Sequence, residues 1–227
     1  AFSSRARVCH IITRLELGGA QQNTLYTLEH LDRARFEPVL IAGAEGILVK
    51  EARALGIRCH FLQGLGREVS PVRDLGALAA LTRLLRQERP DIVHTHSSKA
   101  GILGRWAACL AGVPLIVHTI HGFGFHPEQS TAMRHLYVTL ERITGRLATS
   151  ALVAVSSANL EAGLDLGLFD ASRIALIRSG IKLADYHPAN GVENGGPARP
   201  VTIGMVACLK PQKAPLDFVR VASRFVR

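Results

Sequence analysis

The sequence predicts an α/β protein on a doubly wound parallel sheet, a Rossmann-like domain. Three observations predict it. Short, almost wholly apolar segments recur along the chain, as strands buried on both faces must. Each is followed by a stretch with apolar residues at helical spacing, the alternation of a βαβ sheet. Gly and Pro punctuate the changeovers. The composition agrees: 227 residues, 48% hydrophobic and 20% charged, carry ample apolar side chain for a core. A mainly disordered chain is thereby excluded. The length suits one domain, or one and a piece of another.

Arg7 to Thr13 (RVCHIIT) is the first strand, ended by Leu17-Gly18-Gly19-Ala20. Gln21 to Leu31 is then helical, with Leu25, Leu28 and Leu31 on one side. Glu37 to Ala42 is the second strand, and a helix over Leu48 to Leu55 is capped by Gly56. Arg58 to Leu62 is the third strand. Pro71 to Arg89 is a long helix, stopped by Pro90. Asp91 to Thr95 is the fourth strand, followed by a helix from Lys99 to Ala111 that Gly112 ends. Leu115 to Ile120 is the fifth strand, with a loop over His121 to Gln129 and a helix from Thr131 to Leu147. Ala151 to Val155 is the sixth strand, with Ser156 as N-cap of a helix over Ala158 to Leu166. Ile174 to Ile177 is the seventh.

The stretch 189–200 (ANGVENGGPARP) reads as a linker. An eighth strand follows at Val201 to Ala207, and a helix begins at Pro215. One strand and one helix do not make a domain. The expected organisation is therefore an N-terminal domain over 1–188, a linker over 189–200 and the truncated start of a second domain over 201–227.

The four cysteines, Cys9, Cys59, Cys109 and Cys208, are far apart and form no CxxC pair, which suggests a reduced compartment. No apolar run reaches the roughly 18–20 residues that span a bilayer, and the first residues are unlike a signal peptide. A cytoplasmic location follows as an expectation. The 27 basic against 18 acidic residues give +9, which suits an anionic partner. A nucleic-acid partner is not expected, because aromatic residues are only 5% and no nucleic-acid motif is present.

Ligands of such sheets bind beyond the carboxyl ends of the strands. Gly18-Gly19 follow the first strand and open a helix, which allows close backbone approach to a phosphate or sugar; a simple tight turn is the competing reading. His94-Thr95-His96-Ser97-Ser98-Lys99 follows the fourth strand. His94 and His96 share a face, where hydrogen bonding is preferred to metal ligation, and Ser97 and Ser98 cap the next helix and offer polar contacts. His121-Gly122 lies just past the fifth strand, in a segment that also holds His118 and His126. A neutral imidazole at His121 can bond a sugar hydroxyl, and Gly122 leaves room beside it. A zinc site from His94, His96, His121 and His126 is a minor alternative. Ser156-Ser157 follows the sixth strand, and Lys210 and Lys213 follow the eighth, where lysines suit a diphosphate; a solvated turn explains those lysines equally.

Taken in order, LGGAQQNT (17–24), RPDIVHTHSSKAG (89–101), VHTIHGFGFH (117–126), LVAVSSAN (152–159), LIRSGIKLADYHP (176–188) and IGMVACLKPQKAP (203–215) resemble the family-4 retaining glycosyltransferases of GT-B fold. The resemblance covers nearly the whole chain. It implies a nucleotide-diphosphate sugar donor, a glycan or lipid-linked acceptor, and polysaccharide or lipid-linked glycan synthesis with retention of anomeric configuration, without metal or other cofactor. It implies that the N-terminal domain holds mainly the acceptor and the second domain most of the donor. By the same resemblance His121 is the catalytic candidate, contacting the donor sugar near the reacting carbon. Gly19 presents its amide near the diphosphate, Lys213 neutralises the leaving group, and Arg142 faces the acceptor side. The chain departs from the family at Ala207 and Cys208, where a glycine and an arginine are usual; Lys210 is the substitute cation. The family's paired glutamates belong to the second domain beyond residue 227, so this chain by itself is expected to be inactive. Arg83, Arg86 and Arg89 recur along one helix side, with Arg67 and Arg73 just before it. An anionic membrane surface is therefore a secondary partner, against a simple solvated face. The rival readings are a GT-B-fold nucleotide-sugar epimerase or hydrolase, and a non-catalytic acceptor-binding module.

Overall fold

The computed structural model describes residues 5–44, 46–66, 68–125, 129–183, 202–207, 209 and 213–225. Two compact units divide the chain, Ala1–Lys182 and Leu183–Arg227. The first is built in the order β1 (Ala6–Ile12), α1 (Gly19–His30), β2 (Phe36–Gly43), α2 (Val49–Ala54), β3 (Arg58–Leu62), α3 (Pro71–Glu88), β4 (Ile92–His96), α4 (Ser98–Ala111), β5 (Leu115–Ile120), α5 (Thr131–Leu147), β6 (Ala151–Ala154), α6 (Ser157–Asp165) and β7 (Ile174–Leu176). A short 3-10 turn, Ala171–Arg173, leads into β7. All seven strands are parallel, in the order β3-β2-β1-β4-β5-β6-β7.

The alternation of side chains along each strand sorts the core into two faces. Cys9 and Ile11 of β1, with Val39, Ile41, Val93 and Ile116, pack under α3 and α4. Ile12, Leu40 and Ala42 point the other way and pack with Leu25 and Leu28 of α1 and Ala52 of α2. A third cluster gathers Ile120, Val138, Leu152 and Phe169 beneath α5. The order reverses between β1 and β4, which places the switch point, and hence a crevice, beyond the carboxyl ends of those two strands.

Most element ends have a readable cause. Pro71 starts α3, where its missing N–H costs nothing. Asp74, one turn in, accepts from the amide of Ser70 at 3.1 Å. Arg89 ends α3 in the left-handed region, φ 49°, and Pro90 follows. Gly112 ends α4 with φ +76°, a conformation that favours glycine. The Ser156 hydroxyl accepts from the amide of Asn159 at 3.2 Å, as its place before α6 predicts. Cys9, Cys59 and Cys109 are free thiols, and burial pushes Cys9 up to about 12.

The second unit contains α7 (Pro215–Phe225), which buries none of its residues. The eighth strand expected at Val201 to Ala207 is not formed over the described residues 202–207. The reason is physical: a strand is held by ladder hydrogen bonds to a neighbour, and no described residue of this unit supplies one. The expected linker, 189–200, lies outside the described residues. Among the described residues, no helix is long and apolar enough to cross a membrane.

Candidate active site at the carboxyl ends of β1, β4 and β5

Strand periodicity and register assemble the site. His94 and His96 fall on one face of β4, and His10 of β1 pairs with His94 in register. β5 places Thr119 opposite His96, and His121 follows two residues later on the same side. His10 Nδ1 lies 2.9 Å from His96 Nε2, and His96 Nδ1 lies 3.1 Å from His121 Nε2. Three imidazoles therefore form one hydrogen-bonded row from inside the sheet to its carboxyl edge. His94 flanks the row, its ring 4.8 Å from His10 and 4.4 Å from His96, with Nε2 2.7 Å from the Thr119 hydroxyl. His118 points to the opposite face, where Nδ1 lies 2.9 Å from the Thr95 hydroxyl.

These rings are held neutral. Burial drives His10 and His96 well below the ordinary histidine value, and neighbouring histidines add to it. Burial, then the Arg105 charge, lowers His118 likewise. His94 is lowered to about 4 by burial and by His121, and His121 to about 4 by burial. Depressed native values mean that the unfolded chain takes up protons as the pH falls below about 6.5 while the native chain does not. The stability these groups contribute is full above that pH and drains away toward pH 4. We expect the melting temperature of the chain to fall steadily from pH 7 to pH 4.5, each such histidine adding up to about 1.4 kcal/mol per pH unit. Calorimetry across that range checks it; a flat profile contradicts it.

His10, His94 and His96 bring three ring nitrogens within 4.8 Å of one another, a spacing open to a metal ion. Yet His96 already spends both nitrogens on other rings and His94 spends one on Thr119. No carboxylate or thiolate joins this group among the described residues. The donor set favours hydrogen bonding.

Ser97 stands at the N-cap of α4 with φ 60° and ψ 158°, a region nearly restricted to glycine. Such strain costs about 1–3 kcal/mol and concentrates at functional sites. Its hydroxyl does not cap α4, as the sequence suggested; it lies 3.1 Å from the Thr13 hydroxyl, joining the ends of β4 and β1. The unusual backbone turns the side chain away from the first-turn amides. At α1, Gly18 is the N-cap, without a side-chain bond and with no acid in the first turn. The first-turn amides of α1 therefore have no Gly18 side-chain cap, and the Gln21 carboxamide oxygen lies over Gly18, 2.7 Å from where a Cβ would stand. A Cβ at Gly19 would meet nothing within 4 Å, so there is open space beside it. Gly122, at φ +154°, is likewise unobstructed.

A cavity of about 580 Å³ opens at this edge, lined among others by Thr13, Gln21, Ser97, Ser98, Phe123 and Tyr137. That is within the usual size of a ligand pocket. Asp74 also lines it and is paired with Lys99 at 2.6 Å; Lys99 also donates to the Glu68 carbonyl.

The structure thus brings His96, Ser97, His121 and Gly122 to one edge, with Gly18 and Gly19 at the start of the helix that follows β1. Ser156 is at the same edge, its hydroxyl engaged as a cap. Arg142 is not among the residues lining the cavity, although Leu140 on the same helix is. The Arg142 guanidinium donates to the Leu166 carbonyl beyond the end of α6 at 2.7 Å. Lys213 is exposed in the second unit, while Lys210 and His126 lie outside the described residues.

Sequence reasoning missed His10 and Arg105. A histidine amid RVCHIIT was the available signal for the first. Arg105 is wholly buried mid-helix, with Nη2 2.6 Å from Glu141 Oε2 and Nε donating to the Gly101 carbonyl at 2.8 Å.

A Rossmann-like sheet with its polar groups gathered at the β1/β4 switch point defines a ligand-binding α/β domain. Residues 18–180 match the model of the glycosyl transferase 4-like domain, and the chain belongs to that family. It is 34% identical over 98% of its length to the Escherichia coli "UDP-Gal:alpha-D-GlcNAc-diphosphoundecaprenol alpha-1,3-galactosyltransferase", of which it spans 59%. In fold it is similar to a glycosyltransferase from Rickettsia africae, with TM-score 0.62 and 21% identity over 83% of this chain and 47% of that one. It is similar also to Anabaena HepE solved with UDP and glucose, with TM-score 0.61 and 17% identity over 79% and 46%. The sheet is that of one half of a GT-B glycosyltransferase.

Proposed function

We propose that the chain is the acceptor-side half of a cytoplasmic glycosyltransferase. It moves a sugar from a nucleotide-diphosphate donor to a lipid-linked glycan acceptor, with retention and without a metal. The observation that carries this is the neutral, half-buried His121 past the end of β5, with open space at Gly122 beside it. The relative that acts on a diphosphoundecaprenol substrate supports the acceptor class.

Breaking a sugar–phosphate bond builds positive charge at the anomeric carbon and negative charge on the departing diphosphate. Groups fixed where those charges appear lower the barrier. His121 would hold a sugar hydroxyl near the reacting carbon, where a neutral ring adds no opposing charge. The amides at Gly18 and Gly19 would meet the diphosphate, with open space beside Gly19; the resemblance gives Lys213 and Lys210 the task of neutralising it. Among the described residues lining the cavity, Asp74 is the only carboxylate, and Lys99 holds it. A front-face route, with the acceptor hydroxyl entering on the side the leaving group vacates, suits that lining. Residues 1–227 by themselves would bind acceptor without turnover.

An anionic membrane face is the further partner we propose. Val72 and Leu75 are exposed on α3, as are Arg83 and Arg86 farther along it, and each basic side chain adds about 1 kcal/mol at an acidic surface.

The test is a thermal-shift panel of UDP, GDP, ADP and their sugars on the chain extended through a complete second domain. One nucleotide family should stabilise it, with the sugar's added effect lost in His121→Ala. No shift with any nucleotide would leave only an acceptor-binding module.

A further inference from the structure

We infer that His10 and His96 are positioning residues that act through His121, the row fixing which nitrogen of His121 carries its proton. The significance for transfer rests on the reading of His121 given above; the row itself does not.

The argument is one of counting protons. A neutral imidazole has one N–H and one bare nitrogen. Each ring-to-ring contact needs one of each. His96 sits in the middle and uses both nitrogens, at 2.9 Å to His10 and 3.1 Å to His121. If His10 Nδ1–H donates to His96 Nε2, then His96 Nδ1–H must donate to His121 Nε2. His121 then carries its own proton on Nδ1 and is a donor. In the reverse order His121 Nε2–H donates to His96 Nδ1 and His96 Nε2–H donates to His10 Nδ1. The Nδ1 of His121 is then bare and an acceptor. Any mixed order sets two bare nitrogens, or two protons, against each other, at the buried His10–His96 contact or at the part-buried His96–His121 one, and forfeits that hydrogen bond. The two arrangements therefore exclude each other, and the choice made at His10 is read at His121, which His10 does not bond.

The surroundings fit a device that holds one arrangement. His10 and His96 are 1% exposed and their rings are nearly parallel, 12° apart. His94 packs against both and is pinned by Thr119, so the row cannot swing aside. His96 has no nitrogen left for a ligand. Its part is to aim and set His121, not to touch sugar. Filling the core alone would be met by apolar side chains with no polar group to satisfy.

The test uses this chain with histidine rings labelled in 15N, read by long-range proton–nitrogen correlation at pH 7. We expect His96 and His121 each to show one protonated and one bare nitrogen, in the same sense. In His10→Phe, which keeps a ring and removes its nitrogens, the His121 signals should move toward the averaged pair of free histidine. Should that variant fail to fold, His10→Gln serves, and the spectrum of the unaltered chain is decisive by itself. Averaged His121 signals in the unaltered chain, or unchanged single-tautomer signals in the variant, would overturn the inference. So would one equivalent of Zn2+ shifting His10, His94 and His96 together, which would mark a metal centre. No donor or acceptor enters the measurement. A row that holds in a protein without transferase activity would leave this inference standing and remove the functional reading.

Discussion

Replacing His121 with alanine, in the protein carrying its second domain, is expected to lower kcat about 10²-fold, the order found when one preorganised donor at a reacting centre is removed. The KM for acceptor should change little, because on the proposed reading the ring stands beside the reacting carbon, and His121 is not among the residues lining the cavity. His121→Asn keeps a hydrogen-bonding group and should retain part of the rate. Steady-state kinetics with the donor that the thermal-shift panel selects checks both. Removing the ring also leaves His96 Nδ1 without its partner, 3.1 Å away in the intact row. A modest loss of stability is thus expected alongside, and a melting curve separates it from the loss of rate. A rise in KM with kcat unchanged would recast His121 as a group that binds ground state and transition state alike.

The largest stability effect is expected at Glu141→Ala. Arg105 has no solvent exposure, and Glu141 is its counter-ion at 2.6 Å. The remaining guanidinium bonds run to the Gly101 carbonyl and, at 3.4 Å, the Thr149 hydroxyl. Neither carries charge. Removing the carboxylate strands a buried cation, which costs about 3–5 kcal/mol. At about 2–4 °C per kcal/mol for a chain of this size, the melting temperature should drop by about 10 °C. Replacing both partners together, Arg105→Met with Glu141→Leu, should recover most of it, since a buried pair is expensive to break and cheap to substitute. A drop under about 3 °C for Glu141→Ala would show that Arg105 reaches water or another anion.

Much of the fold was legible because both periodicities were clean. Segments such as VLIA and LIVHTI could only be covered strands, and Gly112, Pro90 and Ser156 marked ends that the structure keeps. The strand expected over 201–207 shows the limit of local pattern. VTIGMVA has the composition of a strand, but a ladder needs a partner that local sequence does not name. Arg142 shows another limit. A resemblance set it on the acceptor side by order along the chain, while in the structure its guanidinium is taken up by the Leu166 carbonyl, 24 residues on. Ser97 was legible as the first residue of a capped helix, and not as a strained one, because its φ of 60° goes with a tie to Thr13 across the switch point, 84 residues away. His10 and Arg105 were hidden for a shared reason. Each is a polar residue inside an apolar element, and its partners, His96 and Glu141, stand 86 and 36 residues away.

The most direct test of the central claim is transfer itself. The protein carrying its second domain is mixed with the selected nucleotide-sugar and a polyprenyl-diphosphate-linked sugar acceptor, in the presence of a metal chelator. The account predicts a lipid-linked disaccharide whose new linkage keeps the donor's anomeric configuration, with little product from His121→Ala. An inverted linkage, a product formed only when metal is restored, or epimerised or hydrolysed donor in place of disaccharide would contradict it.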